Sequence, residues 1–393
     1  ECTTSFNWYK IFEGATLTSG EQIKVEQASW QEVSCTGYFD SGLICELNTA
    51  RNPLPDTPQN QRRTFKPHFV LIRSLAQFLD DSSKNLLYAI QFCNIPTINS
   101  FQAIYGMLEK PVAFGELRKV QTRLAARGIP FPLVEPTYYP THRSMVISPS
   151  FPCVVKIGHH HAGYGKILCD NKNRFDDVKS IVACHGDYCT AEEFIEYDYE
   201  IRIQKIGPSI RCFKRRSMNW KGNVGNASVN EDTEVTEQFK VWIEEASSMF
   251  GGMDICALDL VHDSKTDKFH ILEMNGTAIG LVHRHAMEDM NMMRDMVVSR
   301  MSLLFAVDKK KNGQQQEQQM NVDSKEEEND AEEEEKKQDE QVAETYTKQE
   351  ETEAVKTDDE ALLQAISKIR ELEKNNATLQ KEAERKGKDC IVM

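Results

Sequence analysis

The chain has 393 residues, room for two or three domains of ordinary size, and a formal net charge of −14. It has no basic field for a nucleic acid, and no apolar run approaches the roughly 20 residues that a membrane-spanning helix needs. The eleven cysteines are scattered without Cys-x-x-Cys pairs, which is typical of reduced thiols rather than disulfides or zinc ligands. We therefore expect a cytoplasmic protein with no nucleic-acid partner.

Strand and helix patterns alternate along the chain to about Phe305. Phe69–Ile72 predicts a short buried strand, and a helical stretch is expected to follow it to about Leu79. Residues 85–93 are apolar at helical spacing, and Ile95 leads into a second strand. The alternation predicts a layered α/β (α+β) core.

The composition changes after residue 308. Residues 309–360 contain 19 acidic and 8 basic residues and almost no large apolar side chains. Such a segment cannot bury enough apolar surface to offset its chain entropy, so a disordered acidic linker is predicted.

Residues 361–389 regain a heptad pattern. Leu362, Ile369 and Asn376 fall at position a, and Leu372 and Leu379 fall at position d. This predicts a short coiled coil in which Asn376 favours a parallel dimer. A lone amphipathic helix is the alternative at this length.

The strongest chemical motif is Val154-Val-Lys156-Ile-Gly-His-His-His-Ala-Gly-Tyr-Gly-Lys166. A β-branched strand presents one lysine, a glycine-rich turn follows, and a second lysine closes it. Glycines let backbone N–H groups approach phosphate oxygens, and lysines neutralise a triphosphate. The alternative is a glycine-rich hairpin with solvated lysines. We expect histidines 159–161 to make loop contacts or face solvent rather than bind zinc.

Carboxylates follow on extended segments. The run Glu192-Glu193-Phe194-Ile195, with Glu200 after it, suits recognition of the adenine amino group and ribose hydroxyls. Further along, hard oxygen ligands are expected at or near the ends of two apolar strands: Asp259 on one, Glu273 and Asn275 on the other. These are the ligands that Mg²⁺ or Ca²⁺ bridging phosphates would need.

In this order the motifs resemble the ATP-grasp superfamily, and longer strings resemble the synapsin family. The strings span roughly residues 8–306. They include Lys66-Pro-His-Phe-Val-Leu-Ile-Arg73, Asn94-Ile-Pro-Thr-Ile-Asn-Ser100, Ile201-Arg-Ile-Gln-Lys-Ile-Gly207 and Phe250-Gly-Gly-Met-Asp-Ile-Cys-Ala257. The resemblance implies a pre-ATP-grasp subdomain over residues 1–98 and an ATP-grasp domain over residues 99–308. It also implies a homodimer on the cytosolic face of synaptic vesicles, with vesicle proteins and the cytoskeleton as partners.

Carried over by motif, the resemblance assigns roles around ATP and a divalent cation. The residues implied are, for the phosphates and the adenine side, Lys110, Lys156 and Lys166; for the adenine hinge, Glu192, Glu193, Phe194 and Ile195; for ribose, Glu200; for the γ-phosphate side, Arg215 and Lys221; and for metal, Asp259, Glu273 and Asn275. Arg216 is an alternative to its neighbour Arg215.

Two positions depart from the family pattern. Asn275 stands where synapsins have an apolar residue, and Asp259 stands where they have Glu, so the choice between Mg²⁺ and Ca²⁺ stays open. Regulated ATP binding is the leading hypothesis. The alternatives are an ATP-grasp ligase or phosphotransferase acting on a carboxylate, and a lipid-anchored scaffold with a dead nucleotide site.

The last four residues, Cys390-Ile-Val-Met393, match a C-a-a-X box with basic residues just upstream. Met at the last position predicts farnesylation of Cys390. A single prenyl chain binds membranes reversibly, so dimerisation through residues 361–389 could supply a second anchor.

Overall fold

The computed structural model describes residues 6–47, 62–78, 81–159, 163–216, 220, 229–306 and 389–392. The chain divides into two compact units. The larger contains Glu1–Ala15, Ile23–Val298 and Asp389–Met393, and the smaller contains Thr16–Gln22 and Ser299–Lys388. In the smaller unit, Thr16 and Gln22 form an antiparallel bridge, and the Thr18 N–H donates to Ser302 Oγ over 3.1 Å.

The N-terminal part of the larger unit contains a four-stranded parallel sheet. In sheet order its strands are β1 (Lys24–Gln27), β18 (Asp389–Val392), β5 (Pro67–Leu71) and β8 (Thr97–Ile98). The apolar end of β5 is completely buried, as expected for a parallel strand covered on both faces.

Smaller elements surround this sheet. They are an antiparallel sheet of β2 (Val33–Tyr38), β3 (Gly42–Leu47) and β4 (Arg63–Phe65), a ribbon of β6 (Gln77–Phe78) and β7 (Asp81–Ser82), and the helices α1 (Trp8–Ile11) and α2 (Lys84–Phe92). The α2 helix buries Leu87 and Ile90 in the same core as Leu43 and Val70. It therefore lies where the helical spacing of residues 85–93 predicts.

The helix predicted between Ile72 and Leu79 is wrong, because the described residues there form turns and the strand β6. Long-range contacts set this backbone. The buried Arg73 side chain donates to the carbonyl oxygens of Thr277 and Ile279, and the Ser83 N–H donates to Ala76 O over 2.7 Å. The local apolar pattern contains no information about these partners.

Two consecutive helices follow β8. The α3 helix (Phe101–Leu108) begins at Ser100, whose side chain accepts from the Ala103 N–H. The α4 helix (Lys110–Ala126) begins at once after Glu109 and has proline in its first turn, where no N–H partner is needed. Lys110 therefore lies at the start of a rigid helix.

A four-stranded antiparallel sheet carries the glycine-rich motif. Its order is β11 (Lys166–Cys169), β10 (Cys153–Ile157), β12 (Cys189–Glu193) and β9 (Thr137–Tyr139). The α5 helix (Lys172–His185) buries Phe175, Val178 and Val182 in the core of this sheet. It ends at Gly186, which adopts the left-handed conformation that favours glycine.

A five-stranded antiparallel sheet carries the remaining carboxylates. Its order is β15 (Val229–Thr233), β14 (Ser209–Arg216), β13 (Tyr199–Ile206), β16 (Ile255–Asp263) and β17 (Lys268–Asn275). The α4 helix and α6 (Glu237–Ser247) contribute Leu117, Leu124, Trp242 and Ile243 to its core. Residues 286–306 form a further helix, α7.

The predicted mixed α/β architecture is confirmed. The linker at 309–360 and the coiled coil up to residue 388 lie outside the described residues. The coiled-coil prediction differs from the structure at Asp389, which is extended because it pairs in parallel with β1 and β5. Prenylation of Cys390 stays a prediction.

Candidate functional site

Two predicted lysines lie opposite each other on the β10–β11 hairpin. Lys156 and Lys166 are register partners, and opposed side chains of an antiparallel pair are neighbours about 5 Å apart at Cβ. Lys156 Nζ lies 2.6 Å from Glu192 Oε1, and both side chains are only 8% exposed. The hairpin therefore supplies one neutralised lysine and, beside it, a second one.

Lys166 is a partly buried lysine without a salt-bridge partner among the described residues. Desolvation lowers the pKa of Lys166, Lys156 and Lys110 lower it further, and Glu273 and Glu192 oppose this. Bound phosphates would reverse the shift, because added negative charge stabilises the ammonium form.

Glycines shape the loop between the two lysines. Gly158, Gly163 and Gly165 all have positive φ, and a Cβ on Gly158 would lie 2.4 Å from a carboxylate oxygen of Asp187. The Ile157 N–H donates to Gly165 O and closes the hairpin. Residues 160–162 lie outside the described part of the chain, and His159 contacts the loop at Leu108 and Glu109.

A cavity opens beside these lysines. Its lining contains seven of the predicted nucleotide residues, which are Lys156, Lys166, Glu192, Glu193, Phe194, Ile195 and Glu200. Apolar side chains of Val154, Val261 and Leu272 complete it. A cavity with apolar side chains next to two lysines suits an aromatic base attached to a phosphate chain.

Two aromatic residues that the sequence analysis missed also line this cavity. The Phe194 and Trp220 rings meet edge to face with centroids 6.2 Å apart. The Tyr197 hydroxyl lies 3.1 Å from Glu200 Oε1 and 2.9 Å from Trp220 O, and burial followed by Glu200 raises the pKa of Tyr197. The run Phe194-Ile-Glu-Tyr197 was the available signal for Tyr197. Trp220 directly precedes the predicted Lys221 in the synapsin-like string Asn219-Trp-Lys221, but no role was predicted for Trp220 itself.

The predicted ribose and γ-phosphate residues form an ion pair. Glu200 and Arg215 are register partners on β13 and β14, and Arg215 Nε lies 2.8 Å from Glu200 Oε2. Any nucleotide contact by one of them therefore affects the other. Arg216 is exposed, and Lys221 lies outside the described residues.

The three predicted metal ligands lie together. Asp259 on β16 is the register partner of Glu273 on β17, and Asn275 Nδ2 lies 2.8 Å from Asp259 Oδ2. The expectation of ligands at or near strand ends is confirmed for Glu273 and Asn275, because β17 ends at Asn275. It is wrong for Asp259, which lies in the middle of β16 because that strand continues to Asp263. The pairing of β16 with β17 therefore brings Asp259 close to Glu273 and Asn275.

Cations already neutralise this group. Arg202 forms a two-pronged pair with Asp259, Nε to Oδ1 and Nη2 to Oδ2, each at 2.8 Å. Lys110 Nζ lies 3.2 Å from Glu273 Oε2. The sequence analysis did not single out Arg202. It became a site residue because β13 pairs with β16 at Arg202 and Asp259.

The donor set fits a hard divalent cation but is incomplete without further oxygens. Two carboxylates and the Asn275 amide offer oxygen ligands only, and Mg²⁺ and Ca²⁺ prefer such ligands. No cluster of three histidine, cysteine, aspartate or glutamate side chains suited to a metal occurs within the described ranges. Phosphate oxygens would have to complete the coordination.

A second cavity, of about 440 Å³, lies beside the metal group. Its lining is Arg202, Phe213, Arg215, Asn230 and residues 280–284. Arg284 pairs with Asp232 through two bonds. Arg284 and then His285 lower the pKa of Asp232 to about 2. The cavity is cationic at its margin and adjoins Asp259 through Arg202.

Comparisons with known proteins identify the family of the chain. Residues 3–97 match the family model described as the synapsin pre-ATP-grasp domain, and residues 99–303 match the one described as the synapsin ATP binding domain. The chain belongs to the synapsin family. Residues 99–303 are accordingly its ATP-binding domain, and the mixed α/β fold is the ATP-grasp fold.

A synapsin of Drosophila melanogaster is 32% identical over 301 residues, which cover 75% of this chain and 28% of the fly protein. This chain therefore corresponds to less than a third of that synapsin. Among solved structures, VanG D-Ala:D-Ser ligase from Enterococcus faecalis aligns over 66% of this chain and 80% of its own, at 11% identity and a TM-score of 0.46. D-alanine-D-alanine ligase from Coxiella burnetii aligns over 63% of this chain and 73% of its own, at 14% identity and a TM-score of 0.45.

No helix within the described ranges is both long enough and apolar enough to span a membrane.

Proposed function

We propose that this synapsin-family chain binds ATP between the β10–β11 hairpin and residues 192–195. The main support is that Lys156 and Lys166 lie opposite each other on the hairpin and line the same cavity as residues 192–195. Lys156 is balanced by Glu192, whereas burial, with Lys156 and Lys110 nearby, lowers the pKa of Lys166. A triphosphate would give the partly buried Lys166 ammonium an anionic partner, and the apolar part of the cavity would accept the adenine ring.

Calorimetry with ATP tests the proposal through Lys166→Met. A charge-assisted phosphate contact contributes about 1.5–3 kcal/mol, so the affinity should fall roughly 10- to 100-fold. Lys172→Met is the matched control, because that lysine is exposed and pairs only along its own helix with Asp176. Unchanged ATP affinity in Lys166→Met would contradict the proposal, and no measurable affinity in the unmodified chain would favour the scaffold alternative.

The proposal includes a divalent cation, Mg²⁺ or Ca²⁺, at Asp259, Glu273 and Asn275. A cation held by these residues would neutralise part of the phosphate charge. Arg202 and Lys110 already neutralise the two carboxylates, so the cation should bind weakly alone and more tightly with ATP. Calorimetric titration of each cation, with and without ATP, measures this coupling and the preference between the two metals.

ATP and metal binding are further proposed to regulate association with synaptic vesicles as a homodimer, and through it vesicle clustering and transmitter release. The support is family membership together with the matched ATP-binding domain. Flotation with purified synaptic vesicles, with and without ATP and each cation, is the test. Sedimentation under the same conditions reports the dimer. Vesicle binding unaffected by nucleotide would remove the regulatory part.

A second candidate function is ATP-dependent activation of a carboxylate. The observation that favours it is the cationic cavity of Arg202, Arg215 and residues 280–284 beside the metal group, a place for an acceptor substrate. Single-turnover incubation with labelled ATP and a panel of carboxylates distinguishes the two functions. ADP formation that requires both an added carboxylate and Glu273 would establish catalysis, and its absence would leave regulated binding.

A further inference from the structure

In the parallel sheet of the N-terminal part, the strands β1 and β5 do not pair with each other. The strand β18, from the far end of the sequence, lies between them. Both β1 and β5 pair in parallel with β18. Adjacent strands are about 4.8 Å apart, so β1 and β5 lie roughly 9.6 Å from each other. We propose that this gap is a strand-binding groove, and that Asp389–Val392 of the same chain is its releasable occupant.

The groove needs an occupant because the facing backbone edges of β1 and β5 both pair with β18. With β18 in place, Phe69, Val70 and Leu71 have no exposed surface. On its other side β5 already uses its backbone in bonds with β8, where the Val70 N–H donates to Pro96 O. Buried backbone groups left without partners are strongly disfavoured, so an extended segment must pair along the facing edge.

The tail has the composition that the groove requires. Cys390, Ile391 and Val392 are apolar and two of them are β-branched, as in strands buried in parallel sheets. Register is fixed on both sides: Ile391 lies opposite Glu26 on β1 and Val70 on β5. The four-residue strand is thus paired along its whole length with β1.

The same features make the strand releasable. β18 has four residues, and 82 residues separate it from the end of α7 in the sequence. The entropy of closing a chain loop rises only slowly with its length, so a long connection permits both the paired and the released tail. Pairing retains Cys390 within the sheet, so the lipid attachment predicted at that residue requires release.

Hydrogen bonds connect the β5 side of the groove to the proposed ATP site. The residues directly after β5 contact the loop that follows Asn275: Thr277 Oγ1 donates to Ile72 O, and Arg73 Nη2 donates to Ile279 O over 2.7 Å. That loop lines the cavity that Lys110 and Asn275 border. A displaced β5 would therefore disturb the metal side of the site.

Hydrogen exchange of the full chain tests the groove directly. The strand β18 pairs with β1, with Ile391 opposite Glu26. Amides held by that pairing are protected by the free energy of local opening. Ile391→Pro removes a backbone N–H from the strand and should speed exchange along β1 at least about tenfold, whereas Ile391→Val should leave it slow. Fast exchange along β1 in the unmodified chain would overturn the proposal.

Truncation gives a second readout. A chain that ends at Lys388 should exchange at least about tenfold faster at those amides of β1 and β5 that have no other acceptor, and an added peptide of residues 387–393 should restore protection. The Val70 N–H, which donates to Pro96 O, serves as the internal reference. Continued slow exchange after truncation would show that another strand fills the gap, and would overturn the assignment of the tail. These readouts do not involve ATP, so their failure is distinguishable from failure of the proposed function.

Discussion

The two halves of the site are built differently. In the nucleotide half, Lys156, Lys166 and Glu192 come from one sheet and lie within 40 residues of each other. In the metal half, Asp259 takes its partner Arg202 from a strand that precedes it by more than 50 residues. The nucleotide half retains a lysine whose pKa is lowered by its surroundings, whereas in the metal half each carboxylate faces a cation.

Under the proposed function, this difference predicts an order of binding. The partly buried Lys166 has no salt-bridge partner among the described residues, so ATP would bind there without a metal. In the metal half, the cations would have to be displaced or shared before a divalent ion could approach. Phosphates would attract Lys110 and Arg202 away from the carboxylates, which would couple metal binding to nucleotide binding.

The largest expected effect is on the buried pair of the nucleotide half. Lys156→Ala leaves Glu192 buried without its cation and should lower the free energy of unfolding by about 3–5 kcal/mol, measured by denaturant titration. The double change Lys156→Met with Glu192→Leu should recover most of that loss. Lys172→Ala, at an exposed pair, should cost no more than about 0.5 kcal/mol. Equal losses at Lys156 and Lys172 would show that the Lys156 pair is not buried in solution.

The next effect concerns the metal half. Arg202→Met removes the cation that occupies both oxygens of Asp259. One unit charge close to a partly buried carboxylate opposes a divalent ion by about 1–2 kcal/mol, so metal affinity without ATP should rise roughly tenfold. Arg123→Met, at an exposed pair with Glu245, is the control. A fall in metal affinity would show that Arg202 positions Asp259 rather than competing for it.

A smaller effect is expected at the adenine side. Trp220 lines the nucleotide cavity beside Phe194, and loss of one aromatic contact costs about 0.5–1.5 kcal/mol. Trp220→Ala should therefore weaken ATP about threefold to tenfold in calorimetry and leave inorganic tripolyphosphate unaffected. Equal weakening of both ligands would place Trp220 at the phosphates.

The smallest effect is on pH dependence. Desolvation and neighbouring lysines lower the pKa of Lys166 in the free protein below its ordinary 10.5, and bound phosphates should raise it. ATP binding then takes up a proton at alkaline pH, and affinity should fall as pH rises through the free-state pKa of Lys166. Calorimetry in two buffers of different ionisation enthalpy measures the uptake. Lys166→Arg should abolish it, and uptake that persists in that variant would assign the proton to another group.

Site residues that lie on one hairpin or on neighbouring strands of one sheet could be predicted from the sequence. The glycine-rich motif placed Lys156 and Lys166 at one cavity, and Glu192 to Ile195 line the same cavity. The contact between Trp220 and Phe194 could not be predicted, because it joins two segments that share no local pattern. The failed helix after Ile72 has the same cause, since contacts of Arg73 more than 200 residues away determine that backbone.

By itself, the sequence determined the fold class, the family and the lysines, carboxylates and glycines at the site. Strand periodicity and loop chemistry are local, so they can be read along the chain. Only the tertiary structure decided which charges meet: Arg202 with Asp259, Lys110 with Glu273 and Glu200 with Arg215. It also placed Asp389–Val392 between β1 and β5. Strand order and register are long-range choices, made by the burial of whole sheets rather than by any one segment.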